Sequence, residues 1–159
     1  MAPDAPSSDR RLPSRALMRR GVLLGVASLG ALGAAHWYNV GGSLDGSALS
    51  VTEAHAAART DALTLIDIRR PDEWARTGVG QGAIPLDMRD NAFTQKLRAL
   101  AGGTAAPIAL ICARGVRSRG LAATLTEAGF TTIIDVPEGM LGSGAGPGWL
   151  ATGLPVVQF

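Results

Sequence analysis

The sequence predicts an α/β domain with a largely parallel sheet covered by helices on both faces. Three observations predict it. From about residue 50 onward, short apolar runs alternate with segments of helical spacing; the runs are nearly continuous, as in strands buried on both faces; and glycine-containing turns separate them. The 159 residues, 47% apolar and 18% charged, hold one compact domain, and 21 glycines imply many turns and close backbone approaches.

The elements follow in order. Gly41 to Ser50 is turn-like, and "SVTEAHAAART" reads as a short helix with Ser50 or Thr52 as its cap. "ALTLIDI", Ala62 to Ile68, is an apolar run bounded by charge and is the first strand. In "RPDEWARTG" Pro71 suits a first helical turn and Gly78 a stop. "GAIPLDM" is a second strand, and Phe93, Leu97 and Leu100 mark a helix ended by Gly102 and Gly103. "APIALI" is the third strand, Cys112 to Arg117 a loop, and "SRGLAATLTEAG" a helix with Leu121, Ala122 and Leu125 facing inward. "TTIIDV" is the fourth strand, and the glycine-rich "EGMLGSGAGPGW" leads to a last turn and "GLPVV". No internal repeat is present.

The first forty residues have another character. Arg10, Arg11, Arg15, Arg19 and Arg20 precede "GVLLGVASLGALGAAHWYNV", a charged-then-apolar order that is an export pattern. Arg19-Arg20 followed by Gly21, Val22, Leu23 and Leu24 resembles a twin-arginine signal, with Met18 where that signal has a hydroxyl residue. Residues 21–40 are also long enough to remain as a single inner-membrane anchor, whereas four glycines weaken the reading as a core helix. The expected organisation is an export signal or membrane anchor over 1–40, a linker over 41–48 and one domain over 49–159, with a periplasmic or exported location. Without the first twenty residues the chain carries 10 basic and 11 acidic side chains, so nucleic acid is not an expected partner.

Cys112 is the single cysteine of the chain, which excludes an intramolecular disulfide. His36 and His55 lie far from it in sequence, so a metal site is not expected. Alone, such a cysteine reads as a small buried hydrophobe. Its position changes that reading: it ends the third strand, and ligands of open parallel sheets bind beyond the carboxyl ends of strands, where a loop enters the next helix. In "CARGVRS" successive N–H groups curl toward one spot above a helix amino terminus, a cradle that stabilises a thiolate or a cysteine persulfide. Arg114 and Arg117 supply positive charge for an anionic substrate.

At this point the sequence resembles a family. "CARGVRS" is similar to the CxxGxR active-site loop of single-domain rhodanese-like sulfurtransferases, and "LIDIRRPDEW" to that family's phrase D-x-R-x-P-x-E-[FYW]. "GAI", "EGM" and "GLPV" follow in the same order, so the resemblance spans about Leu49 to Val157. It implies a three-layer rhodanese-like fold and a cofactor-free sulfurtransferase in which Cys112 takes the outer sulfur of thiosulfate or a related donor and passes it to a thiophilic acceptor. By position, Cys112 and Arg117 are the implied catalytic residues, and Ala113, Arg114, Gly115 and Val116 the implied substrate-binding ones, with the backbone amides of Ala113 through Arg117 around the sulfur. Asp67, Glu73 and Trp74 read as structural, while Arg69 is expected to face the pocket.

Two departures stand out. The family's G-H-I-x-G-A is "GVGQGA" here, with Val79 in place of histidine, and "LGSGAGPG" lengthens the connection to Trp149, forming either a loose surface loop or a lid over Cys112. Two other functions compete with sulfur transfer. A phosphatase or arsenate reductase uses a similar cradle but places five residues between cysteine and arginine, where Cys112 and Arg117 have four. A non-catalytic rhodanese-like module would bind a partner at the membrane, although an intact Cys112 and a complete loop argue against degeneration.

Overall fold

The computed structural model describes residues 48–158. The expected export or anchor segment, 1–40, and nearly all of the linker lie outside the described residues. Among those described, no helix is long and apolar enough to cross a membrane.

Ser50 caps α1 (Val51–Arg59) in a reciprocal capping box: its Oγ accepts from Glu53 N–H while its own N–H donates to the Glu53 carboxylate. Strand β1 (Thr64–Asp67) then feeds α2 (Pro71–Thr77), which has Pro71 in its first turn and stops at Gly78 with φ 72°. Next come β2 (Val79–Gly80), β3 (Ala83–Pro85), α3 (Phe93–Leu100), β4 (Ile108–Ile111), α4 (Val116–Glu127), β5 (Ile133–Val136), α5 (Gly148–Ala151) and β6 (Val156–Val157).

The main sheet is parallel throughout, in the order β3-β1-β4-β5. The four strands anticipated from apolar runs are the four strands of this sheet, and Pro85 is tolerated because β3 lies at its edge. Ala48 bridges to Asp135 in parallel, adding a single residue beyond β5. A second, two-stranded antiparallel sheet joins β2 to β6, pairing Val79 with Val157. Val79 is buried there, so its apolar side chain serves packing where the family has histidine.

Side chains on the two faces of the sheet build two cores. Leu65, Ala109, Ile111, Ile134 and Val136 pack with Val51, Ala54 and Ala57 of α1 and Trp149 of α5. Ile66, Ile108, Leu110 and Cys112 pack with Phe93 and Leu97 of α3 and Leu125 of α4. This is the three-layer arrangement. Because neighbouring residues on a strand point to opposite faces, the alternation that buries Ile108 and Leu110 on the α3/α4 side carries Cys112 to the same side, at the strand's carboxyl end.

Candidate active site

Cys112 sits just beyond Ile111, which pairs with Asp67 of β1 and Val136 of β5, so the sulfur lies over the middle of the sheet rather than at an edge. The residue is 1% exposed. Gly115 N–H donates to its Sγ at 3.1 Å, and the Ser118 hydroxyl lies 3.6 Å from it. The loop is shorter than the sequence reading had it. Gly115, at φ 76°, ends it, and α4 begins at Val116, so Arg117 belongs to the first helical turn. The first backbone bond of that helix runs from Arg119 N–H to the Gly115 carbonyl. The N–H groups of Val116, Arg117 and Ser118 precede it, and such donors have no partner within their own helix.

Backbone packing holds this loop from behind. A Cβ on Gly115 would stand 2.2 Å from the Pro137 carbonyl oxygen, and one on Gly139 would stand 2.5 Å from that of Ala113. Met140 and Leu141 donate their N–H groups to the Cys112 and Ala113 carbonyls, both at 2.9 Å. The "EGM" phrase is therefore the wall against which the cysteine loop is formed, and its glycine is required by close approach as well as by its positive φ.

Arg117 is held by Glu73 of α2 in a bidentate pair at 2.7 and 2.8 Å, with the arginine side chain 32% exposed. The Arg117 guanidinium draws the Glu73 carboxyl down to about 2 from its ordinary 4.5, with the Arg70 N–H bond assisting against partial burial. In return the hydrogen bonds to Glu73 and its negative charge raise Arg117 above the usual arginine range. Glu73 also accepts from Arg70 N–H at 3.1 Å, so one carboxylate both closes the start of α2 and holds the arginine in the first turn of α4.

Arg69 was expected to face the pocket; the structure places it elsewhere. Its Nε and one terminal nitrogen grip Asp67 at 2.7 to 3.0 Å, and its remaining N–H groups go to the Gly78 carbonyl, the Thr77 hydroxyl and the Glu73 carbonyl. A guanidinium has five N–H donors, so none is left for a substrate. Burial is the physical reason: at 1% exposure an arginine must satisfy every donor within the protein. Asp67, Glu73 and Trp74 are buried.

Of the other expected residues, Ala113 lies half-buried in the loop and Val116 points outward, 79% exposed. Arg114 is exposed and donates to the Gly142 carbonyl at 3.1 Å, which ties the cysteine loop to the glycine-rich stretch. That stretch is not a loose surface loop. Ser143 Oγ donates to the Pro137 carbonyl at 2.7 Å, Gly148 N–H donates to buried Glu138 at 3.1 Å, and a Cβ on Gly148 would fall 2.2 Å from Gly142 N. It forms a packed rim beside the cysteine loop.

Ser118 escaped the sequence reading. It is fully buried, and its hydroxyl lies 3.2 Å from the Gly115 carbonyl as well as 3.6 Å from Sγ, so it either bonds that carbonyl or turns its proton to a thiolate. Its signal is a hydroxyl in the first turn of the helix after the cysteine loop. Glu138 was missed too: its carboxylate accepts from Val51 N–H at 3.1 Å and from Gly148 N–H, joining the start of α1 to the rim.

Comparison with known proteins bears on the fold. The polysulfide-sulfur transferase homodimer of Wolinella succinogenes is 25% identical, with 79% of this chain and 89% of that chain covered and a TM-score of 0.56. A rhodanese-related protein of Thermoplasma volcanium is 24% identical over 72% of this chain and all of the other, with a TM-score of 0.55. A Rhodopseudomonas palustris protein of unknown function, described as a possible tyrosine phosphatase, is 22% identical over 74% of this chain and 93% of its own, with a TM-score of 0.52. No curated protein sequence matches the chain. A sequence model described as the rhodanese-like domain matches residues 50–142, from the cap of α1 to the rim of the cysteine loop, and the chain belongs to that family.

Proposed function

We propose that the protein is a sulfurtransferase that moves sulfane sulfur from thiosulfate or a related small donor to a thiophilic acceptor through a persulfide on Cys112. The observation that carries this reading is the sulfur at the end of β4, receiving the Gly115 N–H at 3.1 Å at the mouth of α4. The Cys112 thiolate attacks the outer sulfur of thiosulfate, forming a persulfide and releasing sulfite; a nucleophile such as cyanide then takes the outer sulfur and restores the thiolate. The N–H groups of Val116, Arg117 and Ser118 are the donors for the negative outer sulfur, and Ser118 steadies the inner one. The family and the polysulfide-sulfur transferase relative support the reading. A phosphatase of this fold places five residues between cysteine and arginine, and the four between Cys112 and Arg117 favour a cradle for sulfur.

The charged-then-apolar pattern before Gly41 supports action outside the cytoplasm, by secretion or from an inner-membrane anchor, and the mass of the protein from its native host reports whether that segment is retained. The function is tested by thiosulfate-to-cyanide transfer and intact mass spectrometry. The wild type gains about 32 Da, one sulfur atom, removable by cyanide. Cys112→Ser gains nothing and forms no thiocyanate above background; equal production by both proteins would remove Cys112 from the mechanism.

A further inference from the structure

We propose that Glu73 selects the charge of the sulfur donor, favouring sulfane donors with at most one negative charge over the thiosulfate dianion. The inference rests on the sulfurtransferase reading and concerns the donor that site accepts.

The charges around Cys112 carry it. Arg117 is the guanidinium of the cysteine loop's own helix, and Glu73 binds it through two nitrogens at 2.7 and 2.8 Å; Arg70, 3.5 Å from Glu73, is paired with Asp72 at 3.0 Å, so the group presents no net charge. Arg69 and Asp67 form a second neutral pair, fully buried at the adjoining end of β1. Arg119 lies 3.8 Å from Asp135 of β5. Arg114 is the remaining cation of the loop; it is exposed and tethered to the Gly142 carbonyl, where water screens its charge. Glu138, buried in the rim and bonded to the N–H groups of Val51 and Gly148, adds a negative charge, so a thiolate with Arg114 nearby has no positive charge to spare for an approaching dianion.

Balanced steps show what this does to two donors of similar shape. The thiolate attacks the outer sulfur of thiosulfate and the S–S bond breaks, giving a persulfide anion and sulfite dianion, so three negative charges meet at one loop. With methanethiosulfonate, in which a methyl replaces one thiosulfate oxygen, the same attack gives the persulfide anion and methanesulfinate, and only two charges meet. The Glu73 carboxylate opposes each additional negative charge in the first case more than in the second. Glu73 is thus a positioning residue that determines specificity through Arg117.

The experiment measures kcat/KM for both donors and the ratio of thiosulfonate to thiosulfate. Glu73→Gln keeps an oxygen acceptor for Arg117 and removes the negative charge; the ratio is expected to fall about tenfold, equivalent to about 1.4 kcal/mol. Arg117→Gln leaves Glu73 uncompensated and raises the ratio by about the same factor. The double variant, neutral like the native pair, returns to within about threefold of wild type, which a merely structural role does not predict. A ratio that stays within about twofold of wild type in both single variants, or a double variant that matches Glu73→Gln, would overturn the inference while leaving the function standing. A wild-type protein whose Cys112 takes sulfur from neither donor overturns the function, and this inference with it.

Discussion

Two arginine–carboxylate pairs flank the carboxyl ends of β1 and β4, and they differ in what each arginine has left over. Arg69 and Asp67 are two residues apart in sequence, wholly buried, and every guanidinium N–H ends on a protein acceptor. Arg117 and Glu73 are 44 residues apart, and only the arginine reaches solvent, at 32% exposure against 11% for the carboxylate. The same chemical pair is scaffold in one place and part of the site in the other. Burial makes the difference: a dry pair must be complete within itself, whereas a pair at the rim keeps a face for a substrate.

The contrast is open to direct attack, beginning with the largest effect. Arg69→Ala leaves the Asp67 carboxylate buried without its cation and the Gly78 carbonyl without its donor. The expected loss is about 3–5 kcal/mol in urea unfolding, a large share of the stability of a domain this size. A loss under about 1 kcal/mol would show that the buried pair is not the scaffold described here.

Arg117→Ala reverses the proportions. Stability falls by about 1–2 kcal/mol, because water reaches the pair, while the rate of sulfur loading from thiosulfate falls about 10- to 100-fold. Stopped-flow loading followed by mass spectrometry checks it. Unchanged loading together with an Arg69-sized loss of stability would make the two pairs equivalent.

Acid gives the smallest and most specific test. Glu73 titrates at about 2 in the folded protein and near 4.5 when unpaired, so its pair stabilises the fold fully above the ordinary carboxylate range. That stabilisation is lost as pH falls through the folded value. The stability difference between wild type and Glu73→Gln is therefore constant from about pH 6 to 5 and shrinks toward pH 2. A difference that grows on acidification would mean that the Glu73 pair has the opposite sign.

Much of this architecture was legible beforehand for physical reasons. Strands buried on both faces must be apolar almost without interruption, so "ALTLIDI", "APIALI" and "TTIIDV" declared themselves, and α1 carried its own cap in Ser50 and Glu53. The short β2 and β6 did not, because two residues are too few to display a period, and their pairing joins Val79 to Val157 across most of the domain. The cysteine loop was read two residues too long because nothing local distinguishes Gly115 in the loop from Gly115 as the residue before α4; its φ of 76° does.

By itself the sequence determined the class of the fold, the place of Cys112 at the end of a central strand, and the glycines that let its loop close. These follow from hydrophobic period, turn chemistry and the steric freedom of glycine, all of which act over a few residues. Only the tertiary structure decided which carboxylate holds each arginine. Arg69 is drawn inward by Asp67, Thr77 and the Gly78 carbonyl, and Arg117 is turned toward Glu73 from a helix 44 residues away. Ion pairing depends on distance in space, and only the completed sheet brings those charges together.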